Sequence, residues 1–443
     1  MQCPQCNAQL DEGTIFCGNC GKQIAPLQAQ GATVAYKAGG DESGLPTILT
    51  NTQSSQRSAQ QTPVRNYVPV SDTPPIPSSP KLPSRKSNNG RIVLFVVLAL
   101  LVIAGGTLGV VALLKNNTSS TSNTSGNSPI AANATGVVSF SDNSNGSGHS
   151  NVVTISANGL TAPTAGSQYD AWLVDTQSEH TIALGTLSQN KDGTYSVKST
   201  SNHNQLGRGN KVEITLEQGS VTLPTGRMIL SATFPPNAFV HIRHLLVSFF
   251  DTPGKIGLMV GLVDQAQKLS AASQLLQSIA GSGNTSAIQC AAQSIIDIAE
   301  GAQGSHYQQL SNNCTSQNIT QSGDGYGLLG TNGYIVNGQA HASLAATQSD
   351  TTVSIRVHAG HVNICLGNMK GWITTINNDA IALLNNPTNT AKVQEIVTLT
   401  NHALNGVDIN GDESIDPVPG EGGANTAYYH AQLMAALVLA PAA

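Results

Sequence analysis

Four cysteines open the chain in two pairs, Cys3-Pro-Gln-Cys6 and Cys17-Gly-Asn-Cys20, with 10 residues between them. A tetrahedral zinc ion takes four soft ligands, and each CxxC turn offers two thiolates on one tight knuckle. Cys3, Cys6, Cys17 and Cys20 are therefore read as a structural Zn2+ site. A segment this short buries no core of its own, so the metal would supply its folding energy. A redox dithiol needs a βαβ setting that is missing here. Asp11 and Glu12 stand against a single Lys22, which leaves no basic footprint for nucleic acid, and a protein contact or a structural role is expected instead.

A second constellation is acidic. Asp408, Asn410, Asp412, Ser414 and Asp416 alternate along the chain, with Glu421 five residues on. Oxygen groups at alternate positions match the first half of a calcium loop, and closely spaced acids repel unless a cation compensates. Ca2+ is expected here through Asp408, Asn410, Asp412, Ser414, Asp416 and Glu421. Two departures stand: Glu413 occupies the sixth position, where such loops place Gly, and Pro419 the twelfth. The competing reading is a solvated acidic turn that caps the last helix.

Histidine supplies the third. Of 11 histidines, 8 follow residue 236, and His341, His358, His402 and His430 are each followed by Ala. The pairs His241/His244 and His358/His361 have i,i+3 spacing, which sets both imidazoles of a pair on one helical face. Such pairs can bind a transition metal. A His beside Ala on a packed helix is more often a hydrogen-bonded interior residue, and HExxH, ExxH and CxxCH are all absent. No GxSxG elbow or P-loop occurs, and Ser188-Gln-Asn-Lys191 precedes a turn rather than opening a helix. No catalytic residue is assigned, and the chain is read as a non-enzyme.

The elements that position these groups follow from composition. Only 10% of residues are charged and 4% aromatic, while 39% are hydrophobic, which excludes a polytopic membrane protein and a strongly basic nucleic-acid binder. Ile92–Leu114 is a run of 23 uncharged residues, roughly 35 Å as a helix, and is read as one transmembrane span. Lys81, Arg85, Lys86 and Arg91 precede it and Lys115 follows. The positive-inside rule then puts the N-terminus in the cytoplasm and the C-terminus outside a cell membrane crossed once. The first 91 residues carry 8 basic and 5 acidic side chains, the remainder 12 and 20, so the two sides have opposite net charge. Gly105 and Gly109 form a GxxxG that permits homo-oligomerisation through the span, although glycine is frequent in membrane helices anyway.

The domain order expected is a zinc ribbon (1–24), a disordered Pro/Ser/Gln-rich linker (25–90), the transmembrane helix (91–115) and an Asn/Ser/Thr-rich stalk (116–135). An all-β sandwich (136–236) and an all-α helical bundle (237–443) then lie outside. Seven short strands are predicted between Val137 and Thr233, with turns at Asn158-Gly159 and Asp192-Gly193, a spacing that suits an immunoglobulin-like sandwich. Helices are predicted over Ile256–Ile279, Ser286–Glu300, Tyr334–Ala346, Thr352–Leu384, Ala391–Leu404 and Ala424–Leu439. Cys290, Cys314 and Cys365 are odd in number. Pairing of Cys290 with Cys314 would leave one buried thiol, and the sequence leaves this open.

Two stretches have a familiar pattern. Residues 1–24, with CPxC and FCxxCG, resemble the zinc-ribbon modules that open many prokaryotic membrane proteins. Tyr169-Asp-Ala-Trp-Leu-Val-Asp175, Ala183-Leu-Gly-Thr-Leu187, Val212-Glu-Ile-Thr-Leu-Glu217 and Pro224-Thr-Gly-Arg-Met-Ile-Leu230 together resemble the extracytoplasmic domain of anti-sigma-K factors. That likeness implies a membrane-anchored regulator whose outer domain senses or scaffolds. The helical sigma-binding domain such proteins carry at the N-terminus is replaced here by the cysteine pairs and linker, so only the fold is carried over. The expected function is a single-pass surface protein that binds a ligand or an unidentified protein partner outside. The alternative is an extracytoplasmic metalloprotein, redox or hydrolytic, that uses the helical-domain histidines.

Overall fold

The computed structural model describes residues 130–143 and 148–442. The four cysteines of the expected zinc site, the linker and the apolar run 92–114 lie outside these residues. Among the described residues, no helix is long and apolar enough to cross a membrane.

The strands are β1 (Ile130–Ser141), β2 (Val152–Leu160), β3 (Ser167–Asp175), β4 (His180–Thr186), β5 (Ser188–Gln189), β6 (Tyr195–Thr200), β7 (Lys211–Gln218), β8 (Arg227–Thr233) and β9 (Leu437–Pro441). They join in one antiparallel sheet of order β4-β3-β7-β8-β9-β1-β2-β6-β5. Irregular registers at Ala171/Trp172 and Ile214/Thr215 bend the strands, as bulges do. The ends curl toward each other until Gly185 of β4 faces Val197 of β6, where an added Cβ would stand 3.3 Å from Val197 Cγ2.

The expected fold class is corrected on this point. A two-sheet immunoglobulin-like sandwich followed by a separate bundle is replaced by a single, nearly closed, barrel-like sheet whose ninth strand arrives from the far end of the chain. Without β9, β4-β3-β7-β8 and β5-β6-β2-β1 would share no ladder. The sequence pattern hid this strand, because Leu437-Val-Leu439 continues an Ala- and Leu-rich helix by composition. The helix instead stops at Met434. Exposure then alternates from 7% at Leu437 to 70% at Val438 and 0% at Leu439, the period of a strand. At the other end, β1 begins at Ile130, inside the stretch read as stalk.

Between β8 and β9 come α1 (Pro236–Leu246), α2 (Leu258–Ala280), α3 (Thr285–Glu300), α4 (Asn312–Ser316), α5 (Tyr334–Thr347), α6 (Val353–Asn385), α7 (Thr390–Asn405) and α8 (Ala424–Met434). The longest, α6, buries Ile355, Ala359, Val362, Leu366, Met369, Ile373, Ile376 and Leu383. Those steps of three and four hold one face against its neighbours, and Thr352 caps its N-terminus by accepting from the Ile355 N–H at 3.2 Å. Sheet and helices share one core, linked where Phe234 stacks on Phe239 at 3.9 Å and meets Phe140 at 5.8 Å. Cys290 and Cys314 form a disulfide that ties α3 to α4, and Cys365 remains a buried thiol.

Candidate metal centres

Helix packing turns each histidine pair into a triad. On α1, His241 and His244 point toward His341 of α5, whose Nδ1 lies 3.0 Å from His241 Nδ1 and 3.2 Å from His244 Nδ1. On α6, His358 and His361 meet His430 of α8, with Nδ1 separations of 3.0 and 3.3 Å. Within each triad the three ligand atoms all lie within 4.8 Å of one another. Both triads are at least half sequestered, with His244 and His430 the most buried members.

The electrostatics favour the neutral, ligating form. Burial, reinforced by His241, lowers the His244 pKa to about 4. Burial with His244 and His241 takes His341 to about 3. In the second triad, burial and His361 lower His358 to about 4, while burial, His361 and His358 lower His430 to about 4. Burial alone lowers His241 and His361. Each neutral imidazole nitrogen carries either one proton or one lone pair. The central Nδ1 of a triad therefore cannot satisfy both its neighbours by hydrogen bonding. A cation at the centre would satisfy all three. Zn–N bonds of about 2.0–2.1 Å in a tetrahedral set place ligand nitrogens roughly 3.3 Å apart, close to the spacings found. Three imidazoles without a carboxylate or thiolate suit a borderline divalent transition metal and leave one coordination position open. The Gln348 amide nitrogen lies 3.3 Å from His241 Nε2, and rotation of the amide to present its oxygen would let it accept the Nε2 proton and leave Nδ1 to a metal.

The two triads are built alike. Ring centroids in the first are 6.0, 5.3 and 4.7 Å apart, and in the second 5.6, 5.2 and 4.6 Å. Downstream of each histidine pair, after α2 in the first case and directly in the second, stands a helix of 16 residues, α3 or α7, with an Asn at its N-cap, Asn284 or Asn389. Each of those helices ends on a glycine of positive φ, Gly301 or Gly406. A Cβ at these glycines would come within 2.7 Å of Gly327 N or 2.6 Å of Glu421 O, so only glycine lets the returning loop close. A glycine N-cap, Gly333 or Gly423, then opens the helix that carries His341-Ala-Ser-Leu344 or His430-Ala-Gln-Leu433. In both cases the 16-residue helix packs on a long helix, α3 on α6 and α7 on α2.

His341 and His430 are the triad members that the i,i+3 pattern does not reach. Their signal is the repeated His-Ala-x-Leu in a helix opened by glycine. His402, the other His-Ala site outside the pairs, packs on Trp372 at 5.8 Å and joins neither triad. The acidic loop is closed on itself. Asp408 accepts from the Gly411 and Glu413 N–H groups at 2.6 and 3.0 Å, Asn410 from Asp412 N–H, and Asp412 from Ser414 N–H. Asp416 accepts from the Ser414 hydroxyl, and Glu421 accepts from Asp416 N–H at 3.2 Å. Glu413 adopts φ 68°, the left-handed conformation of the sixth position of a calcium loop. Among the described residues, the groups that bring three ligand atoms together are the two histidine triads, not these acids.

Residues 92–228 match the family model of the C-terminal region of anti-sigma-K factor RskA. The described part of that match runs from β1 into β8, so the helices and β9 lie beyond it. Neither the curated proteins nor the solved structures contain a match to the chain.

Proposed function

We propose that the chain is an anti-sigma-factor-like regulator that takes up a divalent transition metal, of the Zn2+ class, at His241/His244/His341 and His358/His361/His430. The observation that carries this reading is the convergence of three imidazole nitrogens, twice, with matching geometry. The family match over residues 92–228 supports the regulatory role and a protein partner such as a sigma factor. Metal occupancy is the signal, and the partner receives it. An oxidising, extracytoplasmic setting is supported by the Cys290–Cys314 disulfide, since such bonds persist mainly in oxidising compartments. The all-nitrogen ligand set disfavours hard ions such as Ca2+ and Mg2+ at these two sites.

Titration of the full chain with Co2+ tests the reading. Binding at the triads gives visible d–d bands that His244→Ala and His361→Ala each reduce by about half. Any ion at the cysteine pairs shows itself separately by sulfur-to-metal charge transfer. Visible bands unchanged in both variants would overturn the assignment.

A further inference from the structure

The second triad occupies a mechanically particular place. α8 ends at Met434 and β9 begins at Leu437, so two residues, Ala435 and Ala436, separate the helix that carries His430 from the strand that joins the two halves of the sheet. Both link residues are pinned by backbone bonds, Ala435 N–H to Gln432 O at 3.0 Å and Ala436 N–H to Leu433 O at 3.1 Å. A shift of α8 therefore carries β9 with it.

β9 has a short ladder, extended by Ala442 N–H, which donates to Ile229 O at 3.0 Å. It pairs through Gly136↔Leu439, Val137↔Val438 and Val138↔Leu437 on one side, and through Leu230↔Pro441 and Ser231↔Ala440 on the other. β8, by contrast, pairs with β7 from Lys211↔Thr233 to Leu216↔Arg227 and stays in place without β9. The apolar face that α8 buries is built mainly from small side chains. Its apolar inward face is Ala424, Ala427, Ala431 and Met434, and alanine contributes little to hydrophobic docking. On its other side, Tyr428 Oη and Gln432 Nε2 donate to Asp142 at 2.8 and 2.7 Å, just beyond the end of β1. α8 is thus a short strut between α6 and β1, held to α6 by close packing and by Ser354 Oγ, which donates to Leu433 O at 3.4 Å, and the triad adds a further tie at the same contact.

We infer that metal at His358, His361 and His430 seats β9 and so controls closure of the sheet, whereas the first triad does not. This rests on the metal reading above, and it adds a route from metal occupancy to the family-matched strands.

Hydrogen exchange on the full chain, loaded with Zn2+ or stripped by a chelator, tests it. In the stripped protein, amides of 437–442 and their partners in 136–138 and 229–231 are expected to exchange at least tenfold faster. Re-addition of Zn2+ restores protection, which separates seating from misfolding. With Zn2+ present, His361→Ala reproduces the fast exchange and His241→Ala does not. If metal binds the second triad but β9 protection is unchanged on stripping, the inference fails while the metal reading stands. If His361→Ala removes no metal, both fail.

Discussion

His430 Nδ1 lies 3.3 Å from His361 Nδ1, although 69 positions separate the two residues in the chain. His341 and His244 repeat the relationship at 3.2 Å across 97 positions. One arrangement made twice by different helices is more than packing alone supplies, because the central neutral imidazole can share an N–H···N bond with one neighbour but not with both.

Zn2+ is expected to stabilise the full chain against heat. A ligand at 100 times its Kd contributes about 2.7 kcal/mol per site through mass action. Differential scanning of wild type, His244→Ala and His361→Ala checks this: each variant loses about half of the metal-dependent rise in Tm attributable to the triads.

Acid should destabilise the metal-free protein. His244, His358 and His430 titrate at about 4 and His341 at about 3 when folded, against 6.5 when unfolded. Between those limits the unfolded chain binds more protons, so stability is fully present above about 6.5 and is lost as pH falls through 6.5 toward 4. Asp297 acts in the opposite sense. Burial raises it to about 6, so it favours the folded state as pH falls below that value. Four histidines outweigh one carboxyl, and urea midpoints measured between pH 7 and pH 5 in chelator should fall.

Reduction of the Cys290–Cys314 bond should cost stability without cost to the triads. The bond closes a sequence separation of 24 residues, for which the chain-entropy estimate is about 3.5 kcal/mol. Cys290→Ala/Cys314→Ala is expected to lower the urea midpoint accordingly and leave metal stoichiometry unchanged.

Gly261→Ala probes the support of the first triad. The added Cβ would fall on the Tyr334 ring, whose hydroxyl donates to Asp324 at 2.6 Å at the start of α5. Overpacking of this kind costs about 1–3 kcal/mol. Weaker metal binding at His341, seen as a raised Kd for one of two sites by calorimetry, should accompany the loss, with the second triad unaffected.

Much of this fold was legible in the sequence. The helix over Thr352–Leu384 is found at Val353–Asn385, and the strand at Lys211–Leu216 extends only to Gln218, because apolar spacing in both segments is regular. The barrel-like closure was not legible, because it depends on Leu437–Pro441, whose composition continues the preceding helix and whose pairing partners lie near residues 137 and 230. The histidine pairs could be read from local i,i+3 spacing. Their third members could not, since His341 and His430 are brought in by tertiary packing, and only the repeated His-Ala-x-Leu marked them. The alternating oxygens of the acidic loop were conspicuous in sequence, and in the fold Asp408 accepts from the Gly411 and Glu413 amides and Asp412 from that of Ser414.

The most direct measurement is the metal content of the purified full chain against that of the double variant His244→Ala/His361→Ala, after equilibration with Zn2+ and desalting. The difference removes any ion held by the cysteine pairs, which both proteins share. Two fewer equivalents of zinc in the double variant, with the fold intact by circular dichroism, is the expected result. Equal zinc content in the two proteins would contradict the assignment of the triads as metal centres.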